Sequence, residues 1–433
     1  MRKFLVLMLF WALNTQPLLA EQIDPEAQAG DDPRVEVGQP QPGTDDTSQL
    51  AGPNGVTEEL RRDEEIRNSF AGIGLFDRWF NWKQQQQDEH SLSLGFKAWF
   101  LAQTASNSLT DSDDAAGGIY RFQGSWTAFS GDAGEVGRIE WRLEKRSGLG
   151  SMLAPADLSG DSGIAALNTG FGYSGSFTTD LSVLSWSQSF TDRRFGFAIG
   201  RLASDVYSDA FVFSTFSRGY LNRSFLFNPT QGTTGVGALG VVAKGFVTDQ
   251  IWLGGHTYDG NAVSGDFDLD TFRQHEWLKE IEIGWAPSFA RRPTDRIQFL
   301  YWDKDERVAA GVSSGRGWVV TASYQTGEKL LSFFRVGQSN GGAGVPADKA
   351  ASAGMEYSPR AGRALTVGLG WARPSEDTYG PGLRDEYVAE VSYRFQLTGN
   401  VSLLPDVQIV FNPALNPAAD RVWVLGLRAS LAL

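Results

Sequence analysis

From Gly137 to Arg146 every second residue is charged. Arg138, Glu140, Arg142, Glu144 and Arg146 fall on one face of an extended chain, with Ile139, Trp141 and Leu143 on the other. Alternating guanidinium and carboxylate groups supply paired donors and acceptors, which recognise a polyol and imply no covalent step. Shorter ladders recur: Glu276, Glu280 and Glu282 alternate with Trp277, Ile281, Ile283 and Trp285, and Thr321, Ser323 and Gln325 with Trp318, Val320 and Tyr324. The candidate contact residues on such polar faces are Arg121, Arg138, Glu140, Arg142, Glu144, Arg335, Glu390, Arg394 and Arg428. A wall of mixed sign suits a neutral sugar better than one ionic solute. Mutual neutralisation of the charges, merely holding the wall together, fits the same pattern equally well.

Other short matches lack the context their chemistry needs. Gly235, Gly237 and Gly240 satisfy G-x-G-x-x-G, but Val241-Val242 follows and no helix-forming run is there to receive a pyrophosphate. Gly311-Val-Ser313-Ser-Gly315 fits a nucleophile elbow without the strand-to-helix setting, in a chain whose histidines are His90, His256 and His275. Asp266, Asp268 and Asp270 begin like a calcium loop, yet the Gly and Glu that complete one are missing. Neither cofactor nor metal is therefore expected. A net charge of -13, with no basic stripe, gives nucleic acid binding no support.

The elements that position the ladders read as strands. Tyr387, Ala389, Val391, Tyr393, Phe395 and Leu397 alternate with Glu390, Ser392, Arg394 and Gln396. The closing run puts Trp423, Leu425, Leu427, Ala429, Leu431 and Leu433 on one face and Val422, Val424, Gly426, Arg428 and Ser430 on the other. This period of two holds from about His90 to the last residue, so the terminal strand is itself structural. Beyond the N-terminus no run of about 18–20 apolar residues occurs, which excludes a helical membrane protein. A mean hydropathy of -0.25 is that of a large all-β protein, water-soluble or closed into a transmembrane barrel. The ladder at Gly137–Arg146 decides between them: each Arg turned to lipid near mid-membrane costs about 2–4 kcal/mol, so the charges belong in a watery lumen. Lys145, on the greasy face, snorkels to the headgroups. At about 20 residues per strand and loop, residues 91–433 predict an antiparallel barrel of about 16 strands.

Upstream, Met1-Arg2-Lys3, the apolar stretch Phe4–Leu13 and the approach to Ala20 predict a secretory signal peptide over 1–20. Residues 21–56, rich in Pro and acidic residues, predict a disordered linker with no packed structure. Residues 57–90 predict a short charged and aromatic, partly helical segment whose second half carries Phe76, Trp79, Phe80 and Trp82. Those aromatics suit a membrane interface, a closure of one barrel end, or a helix on the rim.

The segments Gly368–Glu376, Asp385–Thr398, Leu404-Pro-Asp-Val-Gln408, Asn412-Pro-Ala-Leu-Asn-Pro417 and Val424-Leu-Gly-Leu-Arg428, in that order, resemble the C-terminal signature of the carbohydrate-selective porins of the OprB family. Glu282–Ser288, Tyr301–Arg307 and Asp113–Ile119 are similar to it as well, so the resemblance spans about residues 75–433. It implies a bacterial outer-membrane barrel of about 16 strands, inserted into lipid by the barrel-assembly machinery, through which sugars diffuse passively past a constriction of Arg, Glu and aromatic side chains. Arg394 and Arg428 lie inside the matched segments. The usual terminal Phe is Leu433 here. The rival readings are a general diffusion pore, a barrel enzyme, which needs a Ser-His pair on the outer face, and a plugged or adhesive barrel. In the last, the segment Glu58–Arg67 folds back or reaches cell-wall material, and an intact lumen without an inserted segment would count against it.

Overall fold

The computed structural model describes residues 50–433 except 111, 132–133, 176–178, 191–193, 235–236 and 263–270, and leaves the side chains of 271–272 undescribed. The expected signal peptide, most of the linker, Gly235 and the run Asp266–Asp270 lie outside the described residues.

Sixteen strands are formed among the described residues: β1 (Leu92–Ala105), β2 (Asp114–Ser130), β3 (Val136–Gly148), β4 (Asp180–Phe190), β5 (Phe195–Leu202), β6 (Ala238–Phe246), β7 (Ile251–Asp259), β8 (Trp277–Trp285), β9 (Arg296–Lys304), β10 (Gly315–Thr326), β11 (Leu330–Ser339), β12 (Ala347–Arg360), β13 (Arg363–Pro374), β14 (Glu386–Gln396), β15 (Val401–Phe411) and β16 (Arg421–Ala432). Each pairs antiparallel with the next, and β16 returns to β1 with Phe100 opposite Ala429, so the sheet closes into a barrel. The last residue takes part: Leu433 donates to the Phe96 carbonyl at 2.8 Å and accepts from the Phe96 N–H at 2.9 Å. Closure leaves no edge strand, which is what makes the architecture viable in hydrocarbon.

The predicted alternation is realised strand by strand. Ile281 and Leu369 are 65% and 64% exposed on the outer face, while Glu280, Glu282 and Thr366 beside them are buried inside. Arg138 to Arg146 face inward and Leu143 and Lys145 outward, as the lipid penalty requires. Outward aromatics gather near both strand ends. Trp126, Trp285, Tyr324 and Tyr357 form one level and Tyr301, Tyr387, Phe411 and Trp423 the other, as in the two interfacial belts of a membrane barrel. Connections at one rim are short (247–250, 327–329, 361–362, 397–400), and several at the other are long (149–179, 203–237, 260–276).

Ahead of β1 come α1 (Val56–Ser69) and α2 (Asp77–His90). No described helix is long and apolar enough to cross a membrane. Glu58 and Glu59 in the first turn of α1 and Arg67 in its last complement the helix dipole, and Arg61 bridges Glu58 at 2.6 Å. The expectation of no packed structure before residue 57 fails at 50–56. Leu50, Asn54 and Val56 are buried, and the Gly52 N–H donates to the Val206 carbonyl at 2.7 Å. The small residues that read as linker serve a tight passage here. A Cβ on Gly52 would stand 2.4 Å from that of Ala210, so only glycine fits. Of the placements left open for the aromatics, α2 takes the short-turn rim. Ser93 of β1 donates to Gln87, the Arg67 guanidinium lies 4.6 Å from the Phe80 ring, and Leu75 and Trp82 stay exposed.

Ile281 sits at the centre of β8 and faces outward. Ile281→Arg should cost about 2–4 kcal/mol in vesicle-refolding titrations, whereas Ile281→Phe should be close to neutral. An equal, small effect of both substitutions would mean that this face does not meet lipid.

Candidate functional site

The nine candidate residues all point into the lumen, but the lumen is not empty. Segments from both rims enter it, and the wall charges are largely engaged in holding them.

From the short-turn rim, residues 50–69 rise and turn at Asn54–Thr57, and α1 descends beside β1–β3. Its Glu59 is fully buried. The carboxylate accepts from Arg121 Nη1 at 3.0 Å, Arg142 Nη2 at 3.2 Å and Gln123 Nε2 at 3.3 Å, with Lys97 Nζ at 3.8 Å. Asn54 adds its side-chain oxygen to Arg121 and its carbonyl to Arg142, each at 2.7 Å. Thr57 donates to Glu140 Oε1 at 2.6 Å. Glu144 is taken by Arg121 and by Arg146, the latter at 2.7 Å. Burial alone would push the Glu59 carboxyl up, but Arg121, Lys97, Arg142 and Arg62 together hold it down at about 2, so it stays ionised.

From the long-loop rim, residues 203–234 fold inward. Asp209 accepts from Arg335, from Thr321 Oγ1 at 2.7 Å and from Gln298 Nε2 at 2.8 Å. Glu390 accepts the N–H groups of Leu221 and Asn222 at 2.7 and 3.0 Å. Glu386 likewise takes the N–H groups of Ala165, Ala166 and Leu167 from the 149–179 connection. Between these polar anchors Phe211, Phe213, Phe216, Tyr220 and Phe225 pack on Phe333, Val388, Leu404 and Val410 of the inner wall. Carboxylates that each bind two or three loop N–H groups fix loop backbone that would otherwise be buried without partners.

Arg121, Glu140, Arg142, Arg335 and Glu390 are therefore anchors of inserted segments, while Glu144 pairs within the wall with Arg121 and Arg146. Arg138 is buried on the same wall and engaged there. Arg428 donates to the Arg218 carbonyl of the inserted loop, and neither Arg394 nor Arg428 has an ion pair among the described residues. Sequence reasoning missed Glu59, Thr57, Asp209 and Glu386. A signal existed in Val388, Val422 and Val424, apolar on a nominally polar face, and in the aromatic-rich run from Phe211 to Phe227 within a loop. Both call for apolar cover inside the barrel.

Ser208, His256 and Glu280 meet in the lumen and invite a catalytic reading. Ser208 Oγ and Glu280 Oε2 both address His256 Nδ1, at 3.3 and 3.1 Å, and Ser208 donates to Glu280. Nε2 is buried with no partner, so the ring is not set between nucleophile and acid as a relay must be. Gly311 closes a single turn, Val308–Ala310, ahead of β10, and Gly237 leads straight into β6, so neither motif has a helix behind it.

A closed antiparallel barrel of sixteen strands with charged inner ladders, two aromatic belts and inserted loops has the architecture of the porin class. Residues 309–433 match the family model described as "Carbohydrate-selective porin, OprB family", which bears out the resemblance drawn from Gly368–Arg428. The chain is similar to Pseudomonas putida OprB in its high-pH structure, with a TM-score of 0.65 at 15% identity over 82% of this chain and 97% of that one. That likeness shows the fold. A triple mutant of Rhodopseudomonas blastica porin has a TM-score of 0.49 at 12% identity over 79% and 100%, too slight to carry weight. No curated protein is similar enough to count as a match.

Because the Glu59 carboxyl is lowered from its ordinary 4.5 to about 2, its contribution to seating α1 is complete above pH 4.5 and is lost as pH falls through 2. Glu59→Gln leaves buried cations uncompensated, at about 3–5 kcal/mol. Single-channel conductance in planar bilayers should be flat above pH 4.5 in the native chain and higher in the variant at neutral pH. Unchanged conductance in the variant would show that α1 does not occlude the path.

Proposed function

We propose that this chain is a porin of the bacterial outer membrane through which carbohydrates, mono- or oligosaccharides, diffuse passively. The observation that carries the reading is the ladder of guanidinium, carboxylate, amide and hydroxyl groups inside a closed sixteen-strand barrel whose last third matches carbohydrate-selective porins. Such a wall offers a sugar many weak, exchangeable hydrogen bonds, which permit transit where one tight site would hold the solute. The inserted segments narrow the lumen and exclude large solutes. The solute needs no cofactor and undergoes no reaction.

The path left to it runs past the lumen-facing residues that keep contact with water. Arg62 and Arg218 retain 17% and 26% side-chain exposure, and Arg146 and Arg394 are partly exposed. In this reading the leader at 1–20 exports the chain, the barrel-assembly machinery inserts it in lipid, and the short-turn rim with α2 faces the periplasm and its cell-wall material. One observation favours a plugged barrel as the second reading: residues 50–69 occupy the lumen beside β1–β3.

Liposome swelling with purified protein separates the readings. Glucose should enter faster than a disaccharide, and both faster than a cationic solute of similar size. Equal rates for all three would leave a general diffusion pore. Failure of any solute to enter would overturn the porin reading in favour of the plug.

A further inference from the structure

Most of the large apolar side chains exposed on this molecule belong to strands and face lipid. Leu75 and Trp82 do not: they stand at the short-turn rim, 83% and 42% exposed, on the segment between α1 and β1. Leu75 lies in the single turn Gly74–Phe76 that leads into α2. With Trp79 and Trp82 it follows the i, i+4, i+7 spacing that puts three side chains on one flank of a helix. The Trp79 and Trp82 rings lie 5.1 Å apart. A second flank, Asp77, Asn81, Gln85 and Asp88, is polar and exposed. The remaining face meets the protein: Phe80, Lys83, Gln84 and Gln87 line a cavity of about 180 Å³ shared with Leu60 of α1 and the terminal Leu433. Packing thus fixes one face of α2 and leaves an apolar and a polar flank uncovered.

Both ends of α2 are tied to the rim. Ahead of it, the Gly399 N–H donates to the Ala71 carbonyl at 3.0 Å and holds the chain to the turn between β14 and β15. Behind it, the Thr127 N–H donates to the Ser91 carbonyl at 3.0 Å, where β1 begins. β15 and β16 lie between these points. A helix of 14 residues is about 21 Å long and paired strands stand about 4.8 Å apart, so α2 is long enough to pass along the rim beneath both.

The aromatic belt is incomplete over that stretch. Trp126, Trp285, Tyr324 and Tyr357 mark the short-turn level on β2, β8, β10 and β12. On β15, β16 and β1 the outward residues at the same rim are Val401, Leu403, Leu431, Leu92 and Leu94, all aliphatic. α2 brings two indoles to the strands that lack them, at the level where Trp meets lipid headgroups. Its charges nearly cancel, Asp77, Asp88 and Glu89 against Arg78 and Lys83, so the apolar flank rather than attraction to anionic lipid has to supply the contact. Three side chains also fall far short of the roughly 800 Å² that each partner of a stable protein complex buries, which disfavours a second copy of the chain as the cover.

We propose that the Leu75–Trp79–Trp82 flank of α2 docks into the phospholipid headgroup layer at the short-turn rim, with its polar flank in water. The proposal goes beyond the solute pathway and rests on the barrel being set in lipid. The Arg67 guanidinium of α1 lies 4.6 Å from the Phe80 ring of α2, so the docked helix ties the inserted α1 to the membrane as well as to the wall.

The chain has no cysteine, so a single introduced one carries a spin label at a unique site in the full-length protein. Leu75→Cys, Trp82→Cys, Asn81→Cys, Gln85→Cys and, as the lipid-facing reference, Ile281→Cys are placed in phosphatidylcholine vesicles. Collision with oxygen, which partitions into lipid, is compared with collision with nickel ethylenediaminediacetate, which stays in water. The oxygen-to-nickel ratio should be several-fold higher at the Leu75 and Trp82 sites than at Asn81 and Gln85, and should approach that at Ile281. Nickel reaching the Leu75 and Trp82 sites as readily as Gln85 would overturn the docking and leave the flank free for a cell-wall glycan. Protection of both sites from both reagents would overturn it in favour of a second copy of the chain. Nickel reaching the Ile281 site would mean that the barrel is not in lipid, and the docking and the porin reading would fall together. A readout without labels guards against a disturbed helix: quenching of the native tryptophan fluorescence by lipids brominated near the headgroup should weaken in Trp79→Phe with Trp82→Phe, and unchanged quenching would overturn the docking as well.

Discussion

Hydrocarbon offers a backbone no hydrogen-bond partner, and the structure follows from that constraint. Every strand must be paired on both sides, so β16 has to find β1, and the last residue is drawn into the ladder through its two bonds to Phe96. Closure turns one face of every strand to lipid and the other to a shared interior. Charges that would cost about 2–4 kcal/mol each outside become affordable inside. The interior is thereby free to be polar, and this chain uses the freedom in two ways.

One use is structural. Glu59, Asp209, Glu386 and Glu390 are buried carboxylates, each surrounded by two or more donors from a segment distant in the chain. A buried charge is costly unless it is fully engaged, and these are engaged on several sides at once. They act as fixed points that tie α1 and the two long connections to the wall, with an aromatic cluster between them to exclude water. The other use is what remains. Where the inserted segments do not cover the wall, polar side chains such as those of Arg146 and Arg394 keep contact with water.

The alternation of β3, β14 and β16 was legible because lipid on one side and water on the other impose a residue-by-residue contrast, and a period of two is a local signal. The strand number followed from length, and the fate of each charge from the cost of the alternative. The placement of Leu50–Val56 was not legible. Its composition is that of a solvated linker, and nothing local says that Gly52 meets Ala210 or that Asn54 meets Arg121. The candidate residues were found as types on a face, but their roles were not. Arg121 and Arg394 read alike in sequence, yet one is gripped by Glu59 and Glu144 and the other has no ion pair among the described residues.

What the amino-acid sequence determined by itself is the barrel: the faces of its strands, their approximate number and the inward direction of its charges, because each of these depends on neighbours one or two residues away. What only the tertiary structure decided is the content of the lumen and the balance of charge along it. Those depend on pairs such as Glu59 with Arg142 and Asp209 with Arg335, which lie 83 and 126 residues apart and meet only once the sheet has closed around the segments it encloses.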